Sequence, residues 1–164
     1  MIIRLAQRND LPALVKIYNQ AILAKNIAVL DVVTIEERRP WLEEHQTENH
    51  PILVAQTDSL IQGYVSLSAY RPGRRALNKT VEVSYFVDLN YHRQGVGSRL
   101  LEAALKKAPA VGIHNLFAIL LETNVASVGL LEKFGFEQWA LLPQVAVIDD
   151  REVGHVYYGK RVVE

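Results

Sequence analysis

The segment from Val81 to Leu121 constrains the fold more than any other part of this chain. Val81–Leu89 has the composition of a strand, and His92–Ser98 is a glycine-containing turn. Ser98–Ala108 then places Leu100, Leu101, Ala104, Leu105 and Ala108 on one side of a helix, and Leu116–Leu121 is a continuous apolar run of the kind found in strands covered on both faces. Strand, helix and strand in that order favour a right-handed parallel crossover. The turn reads His92-Arg93-Gln94-Gly95-Val96-Gly97-Ser98. Glycines let backbone N–H groups approach a ligand closely, and the helix that follows puts its positive end at the same place. Phosphate groups suit such a spot. Two common phosphate motifs are excluded. No Gly-Lys-Ser/Thr triplet is present for a Walker A loop, and the third small residue of a dinucleotide fingerprint is replaced by Leu100. By spacing alone, Gly-x-Gly is equally compatible with a tight turn and no ligand.

The remaining elements mix strands and helices along the whole chain, so one domain over residues 1–164 is expected. Ile2–Ala6 reads as a short strand. Asn9 or Asp10 can cap the following helix, with Pro12 in its first turn and Leu11, Leu14, Val15, Tyr18 and Ile22 at helical spacing. Thr34 and Glu37 form a capping-box pattern for a second helix carrying Trp41, Leu42 and His45, in which Pro40 predicts a kink or a late start. Ile52–Gln56 and Ile61–Ala69 suggest a hairpin around Thr57-Asp58-Ser59, and Tyr70–Lys79 is a basic loop. Ala126–Phe134 reads as a short helix closed by Gly135 in a left-handed C′ position, with Phe136 as the apolar contact after it. Gln138–Val147 and Glu152–Val163 read as closing strands around Asp149-Asp150.

Composition narrows the function. Eighteen Lys+Arg balance eighteen Asp+Glu, so net charge gives no reason to expect a nucleic acid or an anionic membrane as partner. Zero cysteines exclude disulfides, thiolate metal sites and a cysteine nucleophile. The start has no signal-peptide pattern and no stretch approaches the ~20 apolar residues of a membrane span, so a cytoplasmic protein is expected. His45 and His50 have the wrong spacing for a two-ligand helix face and read as surface residues, so no metal is expected.

Taken together, these motifs resemble the GNAT family of acetyl-CoA-dependent N-acyltransferases. The turn from His92 to Gly97 is similar to the family's Gln/Arg-x-x-Gly-x-Gly/Ala pattern. Asn124-Val-Ala-Ser127, followed by Leu130-Leu131-Glu-Lys133-Phe134-Gly135-Phe136, is similar to its Asn-x-x-Ser…Gly-Phe segment. Lys79-Thr80-Val81-Glu82-Val83-Ser84-Tyr85-Phe86-Val87, with Tyr18-Asn19 and Pro51-Ile52-Leu53-Val54-Ala55 upstream, resembles the phosphinothricin/methionine-sulfoximine acetyltransferase branch. The resemblance spans nearly the whole chain. It implies an α/β (α+β) fold with a mixed, mostly antiparallel sheet, helices on both faces and a splayed strand pair admitting acetyl-CoA. It further implies that the backbone of Tyr85, Phe86 and Val87 holds the pantetheine arm and thioester carbonyl, and that the backbone N–H groups of Arg93, Gln94, Gly95, Val96, Gly97 and Ser98 hold the pyrophosphate. Asn124, Lys133 and Ser127 would reach the cofactor from the other side. The family often forms homodimers, for which the closing strands are a plausible contact.

Attack on a thioester needs a neutral amine, and α-amines have pKa values of about 8, so a base must take a proton. Glu82 is the candidate, because a carboxylate in a strand run of Val81, Val83, Tyr85 and Val87 is costly unless partnered or used. Its structural alternative is an ion pair with Lys79 or Arg75. Arg71, Arg74, Arg75 and Lys79 precede the Glu82 strand. In the related branch basic residues of this loop approach the acceptor's acidic groups, so Arg71, Arg75 and Lys79 are candidates for orienting an amino-acid acceptor; the bland alternative is a solvated loop. Asp31, Trp41, Tyr70 and His155 are further candidates for the pocket. One departure stands out: many family members have Tyr at position 131 and the phosphinothricin branch usually His, whereas this chain has Leu131. Tyr157 and Tyr158 are candidate substitutes for the missing acid. These features predict acetyl transfer from acetyl-CoA to the amine of an amino acid or analogue. The alternatives are a polyamine, peptide or antibiotic acceptor, or an acetyl-CoA-binding module with little catalysis.

Overall fold

The computed structural model describes residues 1–163. Eleven longer elements follow one another as β1 (Ile2–Leu5), α1 (Leu11–Leu23), α2 (Ile35–Glu44), β2 (Ile52–Thr57), β3 (Leu60–Ala69), β4 (Thr80–Val87), α3 (Val96–Ala110), β5 (Asn115–Leu121), α4 (Val125–Lys133), β6 (Glu137–Ile148) and β7 (Arg151–Arg161). The strands form a seven-stranded sheet in the order β1-β2-β3-β4-β5-β7-β6. Its pairs are antiparallel except β4 with β5, which run parallel around the α3 crossover as the sequence predicts. No described helix is long and apolar enough to cross a membrane.

Strand alternation assigns the two faces. Val65 and Leu67 of β3, Val81 and Val83 of β4, and Leu116 and Ala118 of β5 pack against Leu100, Leu101, Ala104 and Ala108 of α3 and Leu131 of α4. On the other face Ile52, Val54 and Tyr64 meet Leu11, Leu14, Val15 and Ile17 of α1 and Leu42 of α2. Helices therefore cover both faces. Tyr64 is completely buried, and burial pushes its phenol well above the ordinary value.

Thr34 caps α2 as its sequence pattern predicts: its hydroxyl accepts from the Glu37 N–H at 3.2 Å, and the Glu37 carboxylate accepts from the Thr34 N–H at 2.7 Å. The expected late start at Pro40 does not occur. The helix begins at Ile35 and runs through Pro40. A proline there removes the bond to the Glu36 carbonyl, and Glu36 is exposed, so water can satisfy that group. Helix α3 starts two residues earlier than expected, because Gly95 takes the N-cap position in a left-handed conformation, φ +81°. Gly135 adopts φ +74° after α4, as anticipated.

A buried ion pair ties β1 to α1. Asp10 accepts from Arg4 Nη1 at 2.7 Å, from Arg4 Nη2 at 2.9 Å and from the Gln7 N–H at 2.7 Å. Burial raises the Asp10 pKa, but the Arg4 hydrogen bonds, the Gln7 N–H and the Arg4 charge outweigh it and hold the carboxyl below its usual range. The stabilisation is complete above the unfolded-state value of about 3.9 and is lost as pH falls through the lower folded-state value. Asp10→Asn should therefore lower the melting temperature by several degrees at neutral pH, with the gap to wild type closing as pH falls through the folded-state value. Thermal melts across pH check this.

Candidate active site

Strands β4 and β5 pair only over Thr80–Asn115, Val81–Leu116 and Glu82–Phe117. Beyond Glu82 they part, and the gap opens into a cleft of about 600 Å³. Its walls are residues 83–87 of β4, 118–121 of β5, the turn before α3, the start of α4 and Asn26, Ile27 and Ala28 after α1. The splayed pair implied by the sequence resemblance is therefore present. Strand parting leaves main-chain N–H and C=O groups of both edges without sheet partners, so the cleft is lined by backbone donors and acceptors as well as side chains.

The glycine turn closes one end. Arg93, Gly95, Val96, Gly97 and Ser98 all line the cleft. The first N–H groups of α3 have no partner within the helix and carry the positive end of its dipole. Gly97 lies close to α4: a Cβ there would stand 3.2 Å from Leu130 Cδ2. His92 braces the turn, since its Nε2 lies 3.0 Å from the Val87 carbonyl, which can only accept, so Nε2 carries the proton. Gln94 is exposed, bonds the Asn90 carbonyl at 2.9 Å through Nε2, and lies outside the lining.

On the opposite wall Asn124 caps α4, accepting from the Ser127 N–H at 3.2 Å, while its Nδ2 donates to the Asn26 carbonyl at 3.4 Å. It thus joins the segment after α1 to the start of α4 across the cleft mouth. Ser127 lines the cleft, and Lys133, exposed at the far end of α4, does not. The cavity has a helix N-terminus at one end and a channel between parted strands whose lining begins at Val83, the residue after Glu82, a shape suited to an elongated ligand.

Glu82 sits at the last paired position of β4, on the α1/α2 face together with Ser84 and Phe86. The neighbouring β3 residues opposite them are Ser68, Ser66 and Tyr64. The carboxyl is half-buried, and its polar contact is the Ser84 hydroxyl, donating at 3.4 Å. Burial pushes its pKa up, and the Ser84 bond only partly offsets this. Among the described residues no ion pair involves Glu82, so the expected structural alternative, a bridge to Lys79 or Arg75, does not form. Arg71, Arg75 and Lys79 are exposed on the loop that leads into β4, and Arg71 adopts a left-handed backbone at φ +53°.

An aromatic platform flanks Glu82. Phe117, its partner on β5, meets Tyr70 in a tilted contact at 5.1 Å and Trp139 edge-to-face at 5.0 Å between centroids, and Tyr157 stands at 6.2 Å. Tyr70 thus packs beside Glu82's neighbour Phe117, whereas Trp41 packs against Arg38 and Tyr64. His155 lines the cleft from β7. Tyr157 lies on the Glu82 face, and Tyr158 is buried on the opposite one with its hydroxyl on Glu132 Oε1 at 3.3 Å. Neither borders the cleft, so neither replaces a side chain at position 131. His45 also departs from its reading as a surface residue. It is buried, donates from Nδ1 to the Trp41 carbonyl at 2.7 Å, and so accepts at Nε2 from the Ser68 hydroxyl at 2.7 Å. Sequence reasoning missed Ser66, Ser68 and Ser84. Their signal was the polar period of two along β3 and β4, which marks one shared face.

Comparison with known proteins bears on this geometry. The model of the acetyltransferase (GNAT) family matches residues 15–136. A Bacillus subtilis protein provisionally named phosphinothricin acetyltransferase YwnH is 40% identical over 153 residues, covering 92% of this chain and 93% of its own. The L-methionine sulfoximine/L-methionine sulfone acetyltransferase of Pseudomonas paraeruginosa is 34% identical over 140 residues, 83% of this chain and 80% of its own. The structure of yncA from Salmonella typhimurium, a provisionally assigned acetyltransferase solved with its cofactor acetyl-CoA, superposes with a TM-score of 0.94 at 30% identity, over 100% of this chain and 95% of that one. With parted strands, an amide-rich turn and these relatives in agreement, the chain belongs to the GNAT family and is an acetyl-CoA-dependent N-acetyltransferase.

Proposed function

We propose that the protein acetylates the α-amine of an amino acid or amino-acid analogue of the methionine sulfoximine, methionine sulfone or phosphinothricin type, by direct attack with Glu82 as general base. The observation that carries this reading is Glu82 itself: a half-buried carboxyl with no cationic partner among the described residues, placed where the strands begin to part. Burial makes it a stronger base than an exposed glutamate. An α-amine, with a pKa of about 8, gives up its proton at this site more readily than lysine, at about 10.4. Acetyl-CoA supplies the activated acetyl carbon. On the edge of β4 that β5 has left, the backbone groups of Tyr85 and Val87 suit the carbonyl oxygen and the arm, with the Phe86 main chain between them turned to β3, and the N–H groups from Arg93 to Ser98 suit the diphosphate. The basic loop favours an acidic acceptor over a polyamine, and the names of the relatives point the same way.

A thiol-release screen with acetyl-CoA against amino acids, their analogues and polyamines tests the acceptor class. Turnover confined to polyamines, or to none of these amines, overturns it. Within this reading Arg71 clamps the acceptor carboxylate. Arg71→Ala should raise KM for the amino acid about tenfold and leave KM for acetyl-CoA unchanged. Equal effects on both substrates would remove Arg71 from the acceptor site.

The proposed active form is a homodimer formed along β6. That strand ends the sheet, and Leu141, Val145 and Val147 on it are between 45% and 57% exposed, a combination that edge strands ordinarily avoid. Light scattering of the wild type and of a Leu141→Lys, Val145→Lys double variant tests this; a monomeric wild type refutes it.

A further inference from the structure

Acetyl transfer places two demands on the protein at once, and strand alternation separates them. The base that receives the amine proton, Glu82, is on the α1/α2 face of β4. Tyr85, an odd number of residues later, points to the α3/α4 face. When the new C–N bond forms, the C–S bond breaks and its electron pair leaves on sulfur. The leaving sulfur then carries a full negative charge inside a cleft whose α4 wall holds the apolar, fully buried Leu131.

The Tyr85 phenol is the donor that spans this wall. It lines the cleft at the level where β4 and β5 have parted, and its hydroxyl donates to the Ser127 carbonyl at 3.2 Å. Ser127 is four residues before Leu131, so its carbonyl already accepts the Leu131 N–H of α4. The phenol therefore holds a long bond to a shared acceptor, one that is readily exchanged for a better one. A helical side chain leans back over the preceding turn. The Tyr85 hydroxyl thus lies on the turn of α4 that precedes position 131, and both residues line the cleft. Other donors border the cleft from different walls: Tyr91 from the turn before α3, His155 from β7, and Ser84 from the opposite face of β4, where it bonds Glu82; Tyr158 lies outside the lining and is committed to Glu132.

We propose that Tyr85 is a catalytic residue of the acetyl transfer: its hydroxyl turns from the Ser127 carbonyl to the sulfur and stabilises the departing thiolate by a hydrogen bond. Burial pushes the phenol up to about 12, so it remains protonated throughout the working range. A thiol of pKa about 8.5 yields a thiolate too weakly basic to deprotonate such a phenol. Tyr85 thus donates a hydrogen bond and keeps its proton. The amine proton goes to Glu82, and the thiolate is protonated by solvent on release.

The test is Tyr85→Phe, which keeps the ring and removes only the hydroxyl. The thiol of bound coenzyme A is titrated in both proteins through the ultraviolet absorbance of its thiolate. This readout needs no acceptor amine and is independent of the acceptor proposed above. In the wild type the bound thiol should titrate below the free thiol, and in Tyr85→Phe it should rise by about one unit. kcat should fall about ten- to a hundredfold, as for a hydrogen bond to a charged group, with KM for acetyl-CoA within about twofold. A wild-type bound thiol at or above the free value overturns the proposal without any variant. So do equal thiol values in the two proteins, an unchanged kcat, or a Tyr85→Phe protein that no longer binds coenzyme A, since the hydroxyl would then be serving the fold.

Discussion

Glu82→Gln should lower kcat at least a hundredfold while leaving the affinity for acetyl-CoA within about twofold, the effect expected from the proposed role of Glu82 as general base and the proposed cofactor contacts at other residues. The isosteric amide fills the same space and can still accept from the Ser84 hydroxyl, so packing is preserved. The pH profile carries the sharper signature. Burial raises the carboxyl above its ordinary value of about 4.3, so kcat/KM should climb through an apparent pKa displaced upward from it, and this limb should vanish in Glu82→Gln. Stability should move the other way. A carboxyl whose folded-state pKa is raised binds its proton more tightly folded than unfolded. The folded state is thus relatively favoured below the unfolded-state pKa and loses stability as pH rises through the folded-state value. Above that window the wild type carries a disfavoured carboxylate that the amide variant lacks. Glu82→Gln should therefore melt at a higher temperature than wild type at neutral pH, with the advantage disappearing in acid. A variant slower but not more stable would mean that the carboxylate is better solvated than its burial implies.

Gly63→Ala should disrupt the sheet where it frames the cleft. Gly63 pairs with Val87 across β3 and β4, and a Cβ there would lie 2.7 Å from the Phe86 carbonyl oxygen, 3.1 Å from Leu100 Cδ1 and 3.2 Å from Val96 Cγ1. The first neighbour is backbone and cannot rotate away. The other two belong to the first turns of α3. The added methyl must push apart the open half of β4 and the start of α3, the two walls that frame the cleft. Overpacking of this kind costs about 1–3 kcal/mol, and the damage falls where cofactor binding is organised. We expect a lower melting temperature together with a KM for acetyl-CoA raised about tenfold, from a shift of roughly 1.4 kcal/mol in binding. Gly129→Ala is the matched control. It lies inside α4 with no atom beyond its chain neighbours and its own helix backbone within 4 Å of the added Cβ, and should be neutral or stabilising by up to about 1 kcal/mol. If both substitutions behave alike, the close approach at Gly63 is not what shapes the cleft.

Much of this was legible in residue order because it rests on local chemistry. The Thr34–Glu37 cap, the left-handed Gly135 and the glycine turn need only a few neighbouring residues to declare themselves. Glu82 was legible because an acid in an apolar strand contradicts its surroundings. His45 was not, because its partners come from α2 and β3, 23 residues apart for Ser68; nothing near it in sequence marks it as buried. The late start expected at Pro40 failed for a different reason: the carbonyl that proline leaves without a donor belongs to Glu36, which is exposed to water. Asn124 was expected to contact cofactor and also caps α4, a role visible only once the turn before it has a direction.

The order of residues alone determined that a strand must run into an amide-rich turn and a helix, because backbone conformation at glycines and the periodicity of side chains are settled within a few residues. Only the tertiary structure decided that β4 and β5 part just after Glu82, that this carboxyl meets no cation among the described residues, and that Tyr85 reaches across to α4. Each of these depends on which distant segments exclude water from a group and which supply it a partner, and such pairing is a property of the packed chain.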